Sequence, residues 1–371
     1  MRHRRNARRR LGRHRRRLLR QREPLMRKRG PMIRTTILAT ALTLSLAALA
    51  ATLLAREGEA AHRRYTVAFA TDGTSSPRVK AIARGGRSAA RKLGVQYILD
   101  GPSLGGPPDD LIPTFRSLIA RHVDAIATEG YVPELKPILA KVRAAGIKLI
   151  ASGDDIATRR ALWIGQSNPV EYAEALADAL ASQVKGKGEY AIVRQPGQFP
   201  IANKIQNLVA AYVARAYPNM HLDGVVEGSD ATGLPEPASV ENFMTAHPDL
   251  KGFIAVVPRG AYAVAEAITQ TGKVGKVFSA DNGGGSFGDP LPGYVRSGVA
   301  ELVFFGNPVK LGYLTVWATN YLLTGHHFKP GAYQVGGPIG LVWYYAKHRE
   351  LRLGQPLTIT KANVDFYANK F

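Results

Sequence analysis

From Tyr65 onward the chain alternates short runs of apolar and β-branched residues with longer stretches whose small and apolar residues recur at i, i+3 and i+4. The short runs have the character of strands buried on both faces, and the longer stretches that of amphipathic helices. Their alternation is the mark of parallel βαβ units. Nine runs are predicted as strands: YTVAFAT (65–71), VQYILDG (95–101), DAIATEG (124–130), KLIASG (148–153), YAIVRQ (190–195), DGVVEG (223–228), GFIAVVP (252–258), KVFSAD (276–281) and ELVFFG (301–306). Helices are predicted over VKAIARGGRSAARKLG, ELKPILAKVRAAG, PVEYAEALADALASQV, ANKIQNLVAAYVARAY, GAYAVAEAITQTG and PVKLGYLTVWATNYLLTG. Several of these end in Gly, which helix C-termini prefer.

Nine strands are many for one sheet, and 371 residues are more than one ordinary core holds. The stretch LWIGQSNPV (162–170) breaks the rhythm after four units and is read as a lobe boundary. The predicted class is therefore α/β, with two doubly wound parallel-sheet lobes. In such sheets ligands bind outside the carboxyl ends of the strands. Those ends are polar here: Thr71-Asp72, Thr128-Glu129, Ser152-Gly153-Asp154-Asp155, Arg194-Gln195, Pro258-Arg259, Asp281-Asn282 and Gly306-Asn307.

The formal charge of +22 points at first to nucleic acid, but 16 of the 50 basic residues lie between Met1 and Arg34. From Ala60 onward 33 basic residues face 25 acidic ones, a net of +8 without a concentrated stripe. Groove binding needs clustered phosphate contacts, so no nucleic-acid partner is expected. The Arg-rich leader is followed by the apolar run ILATALTLSLAALAATLL (37–54) and by small residues at Gly58 and Ala60. This reads as a secretory signal peptide cleaved near Ala60 or Ala61, with an uncleaved membrane anchor as the alternative. The absence of cysteine excludes disulfides, thiolate nucleophiles, Cys-based metal sites and a lipid anchor on an N-terminal Cys.

Motifs for chemistry are weak. GGGSFG (283–288) contains both a GxGxxG and a GxSxG pattern. Asp289-Pro290 and Pro292 follow where a nucleotide-binding helix should open, and Ser286 does not directly follow its strand. His326-His327 lacks the flanking acid of a zinc site, and no GxxxxGK[ST] loop for ATP occurs. A binding protein is predicted, not an enzyme, with no cofactor and no metal. The alternatives are a secreted enzyme acting on a small polyol and a ligand-sensing receptor module.

The segments AARKLGVQYILDGPS, PELKPILAKVRAAGIKLIASGDD, WIGQSNP, FSADN, LPGYVRSGVAELVFFGNPVKLGYLTVWA and PLTITKANVDFYANKF, in that order, resemble the type I periplasmic binding proteins. The likeness is to the branch with rhamnose- and autoinducer-2-binding components of ABC importers. The resemblance implies a three-segment hinge, with crossings near 156–163, 298–303 and 328–338. Residues 1–61 are then leader plus signal peptide, 62–157 with 303–330 the N-terminal lobe, and 158–302 with 331–371 the C-terminal lobe. It further implies a monomer in the periplasm that holds a small sugar-like ligand and delivers it to an inner-membrane ABC permease with its ATPase.

The resemblance carries ligand contacts onto Asp72, Asp155, Asn203, Arg259, Asp281 and Asn307. Asp154 is added as a substitute for a missing family acid, and Gln198 as a further contact. The aromatic residues expected near Ser76-Pro77-Arg78, before Asp154 and at Gly306 are absent. A site that keeps acids and amides but loses rings predicts a small polar ligand, acyclic or furanose-like, in place of plain rhamnose. Tyr131, Phe199 and Tyr262 are the remaining candidates for a ring.

Overall fold

The computed structural model describes residues 64–103, 108–129, 133–156, 159–194, 200–228, 235–283 and 290–368. The leader and signal-peptide expectations lie outside these residues. The fold is that of the unit Arg64–Phe371, and no described helix is long and apolar enough to cross a membrane.

The first half runs β1 (Thr66–Ala70), α1 (Pro77–Leu93), β2 (Gln96–Asp100), α2 (Leu111–Ala120), β3 (Ala125–Thr128), α3 (Lys136–Ala144), β4 (Lys148–Ser152) and β5 (Leu162–Gly165). It continues with α4 (Pro169–Val184), β6 (Lys187–Arg194), α5 (Pro200–Ala216), β7 (Asn219–Glu227), α6 (Pro237–Ala246), β8 (Leu250–Ala255), α7 (Pro258–Gln270) and β9 (Phe278–Asn282). Then come α8 (Leu291–Ser297), β10 (Ala300–Phe304), α9 (Pro308–Leu323), β11 (Gly331–Val335), β12 (Gly340–Tyr345), β13 (Glu350–Arg352), β14 (Leu357–Ile359) and α10 (Val364–Ala368).

All nine strands read from the pattern are present, and so are the six helices. The helices α2, α6, α8 and α10 and the strands β5 and β11–β14 are additional. The strands form two sheets, in the orders β11-β12-β13-β5-β4-β3-β1-β2 and β14-β10-β9-β8-β6-β7. Pairing is parallel except along β11-β12-β13 and between β10 and β14. Central strands such as β1, β3 and β4 are buried on both faces, as continuous apolar strands require, whereas β7 and β12 expose one face.

The sheets divide the chain differently from the expectation. LWIG is an inner strand of the first sheet: Ile150 pairs with Leu162 on one side and Leu351 with Ile164 on the other. Residues 331–352, expected in the C-terminal lobe, add β11–β13 to the first sheet, and only β14 and α10 return to the second. The chain therefore crosses between sheets at 166–168, 305–307 and 353–356, the first two a few residues past the expected crossings and the third well past the end of 328–338. Backbone bonds lace the crossings together. Ser167 N–H donates to Phe305 O at 2.8 Å and Leu353 N–H to Gly165 O at 2.9 Å.

Local signals set the helix ends. Ser76 caps α1, its hydroxyl accepting from Val79 N, with Pro77 next in line, and Gly94 closes the helix in the left-handed region at φ +69°. Asn168 and Glu171 form a reciprocal capping box at the start of α4. Helices α1 and α9 meet backbone to backbone. A Cβ on Gly85 would strike the Val309 carbonyl, and one on Gly312 the Ile82 carbonyl. Around this contact Ile82, Leu311 and Leu314 join Phe69 and Ile150 in one buried core.

Candidate functional site

A cavity of about 660 Å³ opens where the carboxyl ends of strands of both sheets converge on the crossings at 166–168 and 305–307. That volume lies within the roughly 300–1,000 Å³ of small-molecule sites. Asp72 follows β1, Glu129 follows β3, Asp154 and Asp155 follow β4, and Trp163 stands on β5. From the second sheet come Val256 and Val257 after β8, Asn282 at the end of β9, and Phe304 and Phe305 at the end of β10. Gln166, Gly306 and Pro308 are contributed at the crossings.

The polar wall is braced. Arg78, in the first turn of α1, donates Nη1–H to Glu129 Oε2 at 2.7 Å and Nη2–H to Oε1 at 2.6 Å. Burial works against the Arg78 charge, but the attraction and hydrogen bonding of Glu129, with a further contribution from Asp154, hold the guanidinium above its ordinary pKa. Asp155 is gripped by Arg160, Nη2–H to Oδ2 at 2.7 Å, and Arg160 also donates to the His348 carbonyl at 3.0 Å. On β13, Arg352 donates to Glu350 through Nε at 2.9 Å and Nη2 at 3.0 Å. Its guanidinium lies 4.3 Å from the Tyr345 ring centroid.

Two aromatic features set the shape. Gly153 takes φ +78°, a conformation a side chain would resist, and turns the chain so that its carbonyl accepts the Trp163 Nε1–H at 2.8 Å. The indole is thereby fixed in the cavity wall. Phe305 stacks on Tyr172 of α4 with centroids 3.7 Å apart, and Tyr172 donates its hydroxyl to Val303 O. On the same side Asn282 Nδ2–H donates to Val256 O at 3.0 Å. The site can enclose a small amphipathic molecule, with rings for an apolar face and carboxylates and amides for hydroxyl or amine groups.

A model of the periplasmic binding protein domain matches residues 67–327. The chain belongs to this family. The binding protein also resembles solved structures across more than four-fifths of its length. A sugar ABC transporter protein from Actinomyces odontolyticus superposes with a TM-score of 0.70 at 21% identity, over 82% of this chain and 97% of that one. An ABC transporter solute-binding protein from Clostridium phytofermentas, crystallised with L-rhamnose, gives 0.62 at 21% identity, over 83% and 99%. An arabinose-binding protein from Geobacillus stearothermophilus gives 0.66 at 18% identity, over 82% and 99%. No curated protein matches the sequence.

Of the contacts expected for this binding protein, the structure brings Asp72, Asp154 and Asp155 to the cavity. Asn203 instead accepts from Arg194 Nη1 at 3.2 Å on α5. Arg259 is exposed in the first turn of α7 and is not among the cavity's lining residues. Asn307 caps α9, its Oδ1 accepting from Val309 N at 3.0 Å and Lys310 N at 3.2 Å. Asp281 is wholly buried on β9, opposite Ala255 and Leu302 of the neighbouring strands. It accepts from Ser279 Oγ at 2.6 Å, while its Oδ1 has no hydrogen-bond partner among the described residues. Burial pushes its carboxyl up to about 8.

Gln198, Tyr131 and Phe199 lie outside the described residues, as do residues 284–288 of the glycine-rich motif. Tyr262 is partly buried against the core cluster that includes Leu291, Val295 and Phe304.

The expectation of a site without rings is corrected: Trp163, Phe304 and Phe305 line it. Trp163 escapes the sequence reading because Leu162-Trp163-Ile164 is an unbroken apolar run of three residues, too short to mark a strand by alternation. Arg78 was missed because its role comes from Glu129, 51 residues away. Glu350 and Arg352 were missed because β13 joins the first sheet from the far end of the chain.

Proposed function

We propose that the protein captures a small polar sugar or sugar-like ligand between its two sheets, closing around it at the three crossings, and delivers it to an inner-membrane ABC permease driven by a separate ATPase. Binding energy shifts an open–closed equilibrium, and no bond of the ligand is made or broken. The observation that carries this reading is the cavity itself. Carboxyl ends of both sheets face it, and Trp163, Phe305, Asp72 and Asp154 supply the apolar and polar surfaces that a sugar presents in return. The family goes with a periplasmic or extracellular location. Export through the N-terminal signal, action as a monomer, and kinship with the rhamnose and autoinducer-2 branch complete the proposal.

A thermal-shift screen over pentoses, hexoses, deoxysugars, polyols and autoinducer-2 tests it, since a ligand bound only by the folded state raises Tm. The expected result is a saturable rise with one of them, abolished in Trp163→Ala, with the ligand recovered unchanged. Conversion of the ligand would make the protein an enzyme. No shift across the screen would remove sugars as its ligand class.

A further inference from the structure

The charges lining the cavity do not balance. Among the described residues five carboxylates line it, Asp72, Glu129, Asp154, Asp155 and Glu350, against two guanidiniums, Arg78 and Arg352. Each guanidinium is spent on a two-pronged pair with one carboxylate, Arg78 with Glu129 and Arg352 with Glu350. Asp155 is neutralised from outside the lining by Arg160. Asp72 and Asp154 are left exposed to the cavity, with no ion pair among the described residues. The internal segments outside the described residues contain neither Lys nor Arg and so have no cation to offer. Five carboxylates thus face three guanidiniums, Arg78, Arg352 and Arg160, with Asp154 sharing the field of Arg78 that Glu129 already holds, and the cavity keeps a net negative charge within a body whose own net charge is positive.

Closure around a ligand removes water from these carboxylates. In a medium of lower dielectric an unpaired ion is costly, and a bound cation relieves that cost where a neutral hydroxyl only hydrogen-bonds. An anionic ligand would meet the opposite situation, because both guanidiniums are already engaged. Resting on the reading of this cleft as a sugar site, we infer that the ligand is a protonated amino sugar, its ammonium group held by Asp72 and Asp154 and its ring face set against Trp163. Sugar acids and sugar phosphates are excluded by the same arrangement, and the neutral parent sugar binds more weakly than its amine.

Isothermal titration calorimetry with the full chain tests this at low ionic strength and at a pH where the amine is protonated. The probes are glucosamine, galactosamine, mannosamine and aminodeoxypentoses, each beside its neutral parent, its N-acetylated form and the matching uronate. The expected result is at least one amino sugar bound tenfold or more tighter than its neutral parent and its N-acetyl form, with no uronate binding. In Asp72→Asn/Asp154→Asn the preference should fall below threefold. A neutral sugar bound as tightly as its amine overturns the inference and leaves sugar capture standing. A preference for the amine that survives the double variant overturns the assignment to Asp72 and Asp154. If no member of the panel binds saturably, sugar capture fails and the inference fails with it.

Discussion

Arg78 and Glu129, 51 residues apart in the chain, meet at the wall of the cleft in a two-pronged ion pair with N–O distances of 2.7 and 2.6 Å. The pair ties the first turn of α1 to the loop after β3. With side chains only 24% and 14% exposed it is screened little by solvent.

Glu129→Gln should therefore lower stability by about 2 kcal/mol, because Arg78 keeps its charge but loses its counter-charge. Arg78→Lys should lose a comparable amount, since an ammonium cannot reproduce the two parallel bonds. Urea unfolding of the two variants against the parent measures both; a change within error would mean that the pair is held open in solution.

Asp281 predicts a pH dependence. Between its ordinary value of 3.8 and about 8 the folded protein keeps a proton that the unfolded chain has released. Stability should fall as pH rises through this interval, by up to about 1.4 kcal/mol per pH unit. Asp281→Asn removes the titration, so its advantage over the parent should grow steadily between pH 5 and pH 8. Parallel denaturation curves for the two proteins across that range would contradict the buried, protonated carboxyl.

The backbone contact of α1 with α9 leaves no room for a methyl group. Gly312→Ala should cost about 1–3 kcal/mol through overpacking against the Ile82 carbonyl. By contrast, Gly293→Ala, at a position with open space around it, should change little. Thermal melts of the two variants separate the effects of packing and chain entropy.

Asn307 accepts two amide protons at the start of α9. Asn307→Ala should lose about 1 kcal/mol of stability while leaving ligand Kd within twofold. Asn307→Asp, which can also cap, should restore the stability. A tenfold loss of affinity in both variants would assign the amide to the ligand after all.

Much of this protein was legible in the chain itself. Strand runs such as YTVAFAT and GFIAVVP and helices such as PVEYAEALADALASQV carry their period locally, because burial of a strand or of one helix face is decided by residues a few positions apart. The polar strand ends foretold that Asp72, Asp154 and Asp155 would stand at the cleft, since in parallel sheets those ends share one rim. Tertiary structure alone decided the rest. Whether Asp281 faces a ligand or a dry interior depends on which neighbours β9 acquires, and Ala255 and Leu302 come from other segments. Whether LWIG ends a lobe or lies inside a sheet depends on β13, nearly 190 residues later, offering it an edge. The rings and the compensated charges of the cleft arise the same way, from pairings such as Arg78 with Glu129 and Arg352 with Glu350 beside Trp163. Local pattern sets what each segment can bury; only the packed sheets determine which groups meet in the space left between them.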